Sequence, residues 1–328
     1  MKIKCTFLNA PLKETIYLEI SQGLNLEKRK YCLRLSQEIY GLQAEPLAWY
    51  EQLKRWITLV NLSVCILDPC IFHSSGKIPT WLYVHVDNIA IFSNNVEGFK
   101  KGIGKEFEIK DIGPANPTLG VKIYQMKDGI SLNQQHFTES LVEQYRMNTC
   151  RVVATPLTPN EHLCPATTDA VILFKKLKTN YRSTIGSINY LSTATQPDLS
   201  FAVSTLSQYL ETPGLKHWKA FLHVVKYLGG SQNRGLYYPR QARKTVTAFI
   251  DADWGNFQVT SCLNTGYLTC FHQFLVFWKT CKQPSTFIAE AEYNSLCELT
   301  SEFIWFKQWC EEARLLMLED PTLIYEDN

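Results

Sequence analysis

Apolar and polar positions alternate tightly along Trp81-Leu82-Tyr83-Val84-His85-Val86 and along Ile89-Ala90-Ile91-Phe92. The two residues left between the runs, Asp87-Asn88, predict a β-hairpin. A second hairpin is predicted where Leu119–Ile123 and Ile130–Leu132 flank Lys127-Asp128-Gly129, the Asp-Gly pair offering the positive φ of a tight turn. Residues 154–168 break the pattern with Thr155-Pro156, Thr158-Pro159, Pro165 and Thr167-Thr168, which reads as a linker. Helical spacing follows. Leu199, Ala202, Val203, Leu206 and Leu210 form one core stripe, and Trp218, Leu222 and Val225 another that Gly229-Gly230 is expected to stop. From Val246 the order is three strand-like runs (246–250, 265–270, 274–278), a helix striped by Leu296, Leu299, Phe303 and Phe306, and a last strand, Leu323-Ile324-Tyr325. A helical crossover between the third and last strands lets the last pair in parallel within the same sheet.

The composition is that of a globular chain: 328 residues, 45% hydrophobic and 20% charged, which excludes disorder and collagen-like repeats. The longest apolar stretches fall far short of the roughly 18 residues a membrane span needs. Met1-Lys2-Ile3-Lys4-Cys5 has no secretory apolar core, so the expected setting is a reducing intracellular compartment, cytoplasm or nucleus, with thiols free. No Cys-x-x-Cys occurs, which argues against a zinc site. The overall charge of +2 hides an asymmetry. Residues 171–245 hold eleven Lys/Arg against Asp198 and Glu211, a balance of +9, whereas residues 246–328 hold four against twelve acids, a balance of −8. Such a split suits a phosphate-backbone track beside a cation-holding part, or simply two solvated surfaces of opposite sign.

Asp251 closes the first strand of the C-terminal unit, Glu292 opens its helix and Asp327 follows its last strand. If the first and last strands lie side by side, the three carboxylates meet at one sheet edge. Without cations they would repel one another, and an all-oxygen cluster favours Mg2+ or Mn2+. Two such ions about 4 Å apart support phosphodiester hydrolysis. The plainer reading of each acid is a solvated cap or surface charge.

These strings have a familiar arrangement. Asp251-Ala252-Asp253-Trp254, Thr265-Gly266-Tyr267, Trp278-Lys279, Lys282-Gln283-Pro284, Glu290-Ala291-Glu292-Tyr293 and Ile324-Tyr325-Glu326-Asp327-Asn328 resemble the ribonuclease H region of copia-type LTR retrotransposon Pol polyproteins. Upstream, Phe7-Leu8-Asn9, Ile39-Tyr40-Gly41-Leu42, Ala48-Trp49-Tyr50, Asp68-Pro69-Cys70, Ala154-Thr155-Pro156-Leu157, Ile185-Gly186-Ser187, Pro197-Asp198 and His217-Trp218 resemble, in order, its reverse transcriptase and connecting region. The resemblance implies an α+β architecture. A reverse transcriptase palm-like domain without fingers would span 1–153, a linker and helical, thumb-like connection region 154–245, and a C-terminally truncated ribonuclease H-like mixed sheet 246–328.

The parent activity implied is RNA-directed DNA synthesis with cleavage of the RNA strand of the hybrid. It would use Mg2+ or Mn2+ and an RNA template or RNA–DNA hybrid as partner, with no membrane and no small-molecule cofactor. In the family, one aspartate on a first strand and two on a Tyr-Val-Asp-Asp hairpin hold the polymerase metals. Here the hairpin reads His85-Val86-Asp87-Asn88 and Lys2 stands at the first-strand position, so only Asp87 remains. The expectation is a silent polymerase site. Asp251, Glu292 and Asp327 match three of four nuclease acids, the fourth being expected beyond Asn328, while Asp253 and Glu290 read as surface charges. Gln43-Ala44-Glu45-Pro46-Leu47 replaces a basic family string, Ser261 replaces an arginine, and two residues are missing between Pro284 and Glu292. Three readings remain: a fragment with residual nuclease activity, a non-catalytic nucleic-acid-binding remnant, and a decayed copy with no selected role.

Overall fold

The computed structural model describes residues 1–20, 23, 30–42, 45–74, 76, 78–115, 119–159, 161–240, 245–253, 263–271, 274–283, 287–315 and 322–326. The chain forms two units, residues 1–115 with 304–318 and residues 116–303 with 319–328. Helix and sheet are mixed in an α+β architecture. No helix among the described residues is long and apolar enough to cross a membrane.

The first unit contains β1 (Lys2–Ile3), β2 (Tyr17–Leu18), β3 (Leu33–Arg34), α1 (Glu45–Leu59), β4 (Ser63–Val64), β5 (Ile71–Ser74), β6 (Thr80–His85), β7 (Asn88–Ser93), α2 (Val96–Ile103) and β8 (Ile109–Lys110). Six strands make one sheet in the order β4-β5-β6-β7-β1-β8, antiparallel throughout, and β2 pairs with β3 apart from it. The period of two aims Leu82, Val84 and Ile89 at one face, where Trp49, Leu53 and Ile57, a four-residue stripe of α1, meet them in a single core with Ile3, Phe72, Ile103 and Phe107. Pro46 lies in the first turn of α1, where a missing N–H leaves no helical hydrogen bond unmade. The Asn95 side chain caps α2 by accepting from Gly98 N at 3.1 Å.

The hairpin turn lies one residue earlier than the alternation predicts. His85 pairs with Asn88, so Val86 and Asp87 form the two-residue loop. Either register leaves Leu82 and Val84 on the face of Ile89, so the hydrophobic period cannot choose between them. Distant contacts hold the observed loop: Trp49 Nε1 donates to Val86 O at 2.8 Å and Ile3 N donates to Asp87 O at 2.8 Å.

The second unit continues with β9 (Lys122–Gln125), β10 (Gly129–Asn133), α3 (Gln135–Gln144), α4 (Thr168–Lys175), α5 (Tyr181–Ala194), α6 (Ser200–Ser207), α7 (Leu215–Ser231), β11 (Gly235–Pro239), β12 (Val246–Asp253), β13 (Asn264–Phe271), β14 (Phe274–Lys282), the part of α8 (Ile288–Glu312) up to Phe303, and β15 (Leu323–Tyr325). Strands β11-β10-β9 form one antiparallel sheet. The α3–α7 helices enclose a core that takes in the striped residues Leu199, Ala202, Val203, Leu206 and Val225. Strands β14-β13-β12-β15 form the last sheet, with β15 parallel to β12 and Ala248 opposite Ile324. In α8, Leu299 and Phe306 are buried as their spacing predicts, whereas Leu296 is exposed.

Two glycines serve purposes other than those read from sequence. Gly129 is not among the positive-φ residues. It faces β11 so closely that a Cβ would lie 2.5 Å from Tyr238 O, and the absent side chain is what lets the strands meet. Gly229-Gly230 does not stop α7, which runs on to Ser231, because Gly230 admits the side chain of Val152 at a distance no Cβ would allow.

His217 shows how the helical core accommodates a buried polar ring. Its Nδ1 accepts from Gly214 N at 2.9 Å, its Nε2 faces Cys164 O at 3.0 Å, and the ring stacks on Tyr209 with centroids 3.9 Å apart. The N–H then sits on Nε2, and burial holds the imidazole pKa down in a neutral ring.

Residues 304–318 belong with the first unit and are tied to it by one carboxylate. Glu312 accepts from Ile66 N, from Leu67 N at 3.1 Å and from the Cys65 thiol at 3.1 Å, while Trp81 Nε1 donates to Ala313 O at 2.7 Å. Burial pushes the Glu312 carboxyl pKa up, but the Ile66 N–H, the Cys65 thiol and the Leu67 N–H outweigh it and leave the pKa lowered. A lowered carboxyl pKa stabilises the fold above the ordinary glutamate value of about 4.3 and withdraws that support as pH falls below it. Glu312→Ala is therefore expected to cost about 1 to 3 kcal/mol in urea unfolding at neutral pH. The deficit relative to the unaltered chain should shrink on acidification towards pH 3; a deficit independent of pH would show that the carboxylate is not the tie.

Candidate functional site

The hairpin of β6 and β7 carries the one acid that the sequence assigns to a polymerase-type site, and β1 lies directly beside it. Lys2 is opposite Asn88 on one side and opposite Lys110 of β8 on the other. Backbone bonds lock this register: Met1 N donates to Ile89 O at 3.0 Å and Ile89 N to Met1 O at 3.0 Å. Ile3 is 1% exposed, so the alternation of the strand turns Lys2 away from the core.

Both carboxylate oxygens of Asp87 are engaged. Lys2 Nζ lies 2.9 Å from Oδ2, and Asn88 Nδ2 donates to Oδ1 at 2.8 Å. The hydrogen bond from Lys2 to Asp87 and then the charge of that carboxylate raise the Lys2 pKa, so the ammonium stays protonated throughout the physiological range. Lys110, directly across from Lys2 on the same face, adds a second positive charge that sequence reading did not single out. Its only sequence signal is the alternation at Ile109-Lys110, too short to assign a partner strand. A divalent ion placed here would meet one neutralised carboxylate, an amide and two ammonium groups; these residues do not fit the metal pair the resemblance implies. Among the described residues no group of three or more His, Cys, Asp or Glu side chains is placed to share an ion.

The loop retains one costly feature. Val86, a β-branched residue, has φ 54°, the sign that the favoured two-residue hairpin turns place at their first loop position and usually give to Gly, Asn or Asp. Such strain persists only where the surroundings over-determine it, and here the Trp49 hydrogen bond to the Val86 carbonyl does so.

The second predicted cluster is only partly described. Asp251 lies on β12 opposite Gly266 and is exposed; β12 runs two residues further than predicted, so Asp251 does not end it. Glu292 is half-buried one turn inside α8, which begins at Ile288, rather than at its opening. Asp327 lies outside the described residues, and so does the side chain of Asp253. Glu290 is exposed, as expected for a surface charge.

Sequence reasoning missed a buried polar network below this cluster. Gln283 Nε2 reaches Thr265 Oγ1, Ser295 Oγ at 2.7 Å and Ala291 O at 3.0 Å, and Thr265 Oγ1 lies 2.9 Å from Ser295 Oγ. Thr265 and Ser295 have no exposed surface. The network fastens the turn of α8 that carries Glu292 to the end of β13 that pairs with Asp251. Its sequence signal was the string Lys282-Gln283-Pro284, which resembles a family string but shows no chemistry until its burial is known.

The fold is mixed α+β, with a carboxylate on a two-residue hairpin flanked by a short first strand. The model of the family described as "Reverse transcriptase (RNA-dependent DNA polymerase)" matches residues 1–159. The retrovirus-related Pol polyprotein from transposon RE2 of Arabidopsis thaliana is 30% identical over 339 aligned residues, covering 100% of this chain and 23% of that protein. The corresponding polyprotein from transposon TNT 1-94 of Nicotiana tabacum is 28% identical over 96% of this chain and 24% of its own length. A putative transposon Ty5-1 protein of Saccharomyces cerevisiae is 27% identical over 92% of this chain and 100% of its own length. The chain spans about a quarter of the length of the two plant polyproteins it matches. It belongs to the reverse transcriptase family of copia-type retrotransposon Pol polyproteins.

Leaving donors and acceptors unpaired in a dry site costs about 1 to 3 kcal/mol. Gln283→Ala is therefore expected to lower stability by about that much in urea unfolding, whereas Asn294→Gln, exposed on α8 beside Ser295, should fall within about 0.5 kcal/mol of the unaltered chain. Equal losses in the two variants would show that the network does not hold α8 to β13.

Proposed function

We propose that this chain is a reverse transcriptase and ribonuclease H fragment of copia-type retrotransposon origin. In this reading it holds nucleic acid without extending it. The palm-like part is residues 1–153, the helical connection 154–245 and the ribonuclease H-like part 246–328. Asp87 is the surviving polymerase acid, and Asp251, Glu292 and Asp327 are the remaining nuclease acids. What carries the reading is the 2.9 Å pair between Lys2 and Asp87, with Asn88 on the other oxygen.

The chemistry follows from charge. Phosphoryl transfer of this type uses two hard cations to activate the attacking oxygen and steady the leaving one. Each cation needs several oxygen ligands. Exchanging an aspartate for Lys2 changes the local charge by two units, and exchanging another for Asn88 removes a third. The carboxylate left behind is satisfied inside the protein, so an ion would have to break the ammonium contact to reach it. What remains usable is the attraction of a basic surface for phosphate, centred on the +9 balance of residues 171–245. An RNA template or an RNA–DNA hybrid is the partner the family suggests.

Primer extension on an RNA template with Mg2+ or Mn2+ is expected to give no product, and incorporation that Asp87→Ala abolishes would sink the reading. The converse experiment rebuilds the site. Chain carrying Lys2→Asp with Asn88→Asp should bind Mn2+, followed by electron paramagnetic resonance, more tightly than the unaltered chain, with the gain abolished on adding Asp87→Ala. Equal Mn2+ binding in the rebuilt and unaltered chains would mean that Lys2 and Asn88 are not what keeps the ion out.

A further inference from the structure

We propose that the hollow bordered by α5, α6 and β14 seats the phosphodiester backbone of a nucleic-acid strand; this names the contact surface of the nucleic-acid-holding role proposed above and rests on that reading. The hollow measures about 600 Å³ and all of its walls belong to the second unit.

On its β14 side the charge runs against that of the surrounding sequence. Residues 246–328 hold four basic side chains against twelve acids, yet two of the four, Lys279 and Lys282, stand together on β14 in the wall of this hollow. Arg182 faces them from α5, and among the described residues no Asp or Glu lines the space. Lys279 is held by Glu298 from α8 and Lys282 also has a partner within the chain, so part of the charge on β14 is balanced. Arg182 makes no ion pair among the described residues, and the residue is exposed at the rim.

Neutral polar side chains share the rest of the wall with apolar ones, Ile185, Val203, Leu210 and Trp278. Asn189 from α5, Ser204 from α6 and Thr280 from β14 offer amide and hydroxyl groups, while the Thr193 and Ser207 hydroxyls donate to the helix carbonyls of Asn189 and Ser204. Phosphate oxygens accept from this set of side chains, with cations for charge and hydroxyls for position. The floor is built rather than incidental: Trp278 Nε1 donates to Ser192 O at 2.8 Å, and Ser192 Oγ lies 3.0 Å from Ser200 Oγ, which joins the strand to both helices.

Gly186 adds an independent sign. It lies inside α5 and lines the hollow, where glycine weakens a helix relative to alanine. A Cβ there would meet nothing within 4 Å, so packing inside the chain does not require the missing side chain. The bare backbone leaves room for something that comes from outside. An acidic peptide would match the charge as well, but neutral donors interleaved with cations suit an acceptor with oxygens on every side.

The test is fluorescence anisotropy with the full chain, a short labelled RNA–DNA hybrid and a salt series. Arg182→Ala with Lys282→Ala is expected to weaken binding at least about tenfold and to flatten the log affinity against log salt slope by about 2, one unit for each cation withdrawn from a phosphate. Lys101→Ala with Lys105→Ala, an equal charge change on exposed side chains of the first unit, should leave the affinity within about twofold. Gly186→Leu fills the hollow without altering charge; it should weaken binding while the melting temperature holds or rises, so loss of fold cannot account for the effect. Binding by the unaltered chain with both groove variants unchanged, or weakened no more than the Lys101 and Lys105 control, would overturn this seat and leave the nucleic-acid reading standing. No salt-dependent binding by the unaltered chain would overturn both. Displacement of the hybrid by polyglutamate of matched charge as readily as by unlabelled hybrid would also overturn it, marking a general anion surface.

Discussion

Burial of Ile3 decides what the hairpin site can be. A strand of two residues, Lys2–Ile3, lies between β7 and β8, and the side-chain period of a strand is two. A slip of one residue would carry the Lys2 ammonium into the core beside Trp49 and expose an isoleucine, a cost far beyond what a half-exposed ion pair could recover. The apolar side chain therefore fixes where its charged neighbour points. The ion pair with Asp87 is the consequence of that placement, and Lys2 is held at the carboxylate whether or not the pair itself adds stability.

Much of this was legible in the chain. The parallel pairing of β15 with β12 followed from a helix standing between strands, and the helical stripes at Leu199–Leu210 and Trp218–Val225 fell in the predicted core. Local features read less well where a distant contact decided them. The hairpin loop moved by one residue because Trp49, on a helix nearly forty residues away in sequence, captures the Val86 carbonyl. Gly129 and Gly230 read as a turn and a stop; each instead lets a neighbour approach, Tyr238 in one case and Val152 in the other. No periodicity carries that information, because a glycine that admits a remote side chain has the same letter as one that bends the chain.

The site was legible to the same degree. Lys2, Asp87 and Asn88 came from motif positions and meet as expected, but Lys110 was invisible because β8 is two residues long and its partner lies over a hundred positions away. The Gln283 network was equally hidden. Thr265, Gln283 and Ser295 are ordinary polar residues in sequence, and only burial makes their mutual hydrogen bonds consequential.

On the reading proposed above, the electrostatics of the hairpin site bear on how a fold outlasts its chemistry. Converging carboxylates repel unless an ion joins them, so a metal site lowers the stability of the protein that keeps it. Relative to the three acids the family resemblance implies, a lysine and an asparagine around Asp87 turn mutual repulsion into two hydrogen bonds at 2.9 and 2.8 Å. On that reading the exchange removes the ligands an ion needs and relieves the fold at the same stroke. Nothing in the sheet then has to change: the register of β1, the Trp49 contact and even the positive φ of Val86 remain, although the lysine and the amide leave that strained loop no free carboxylate oxygen to offer an ion. On the proposed reading, packing alone maintains that strained loop beside charges that cancel.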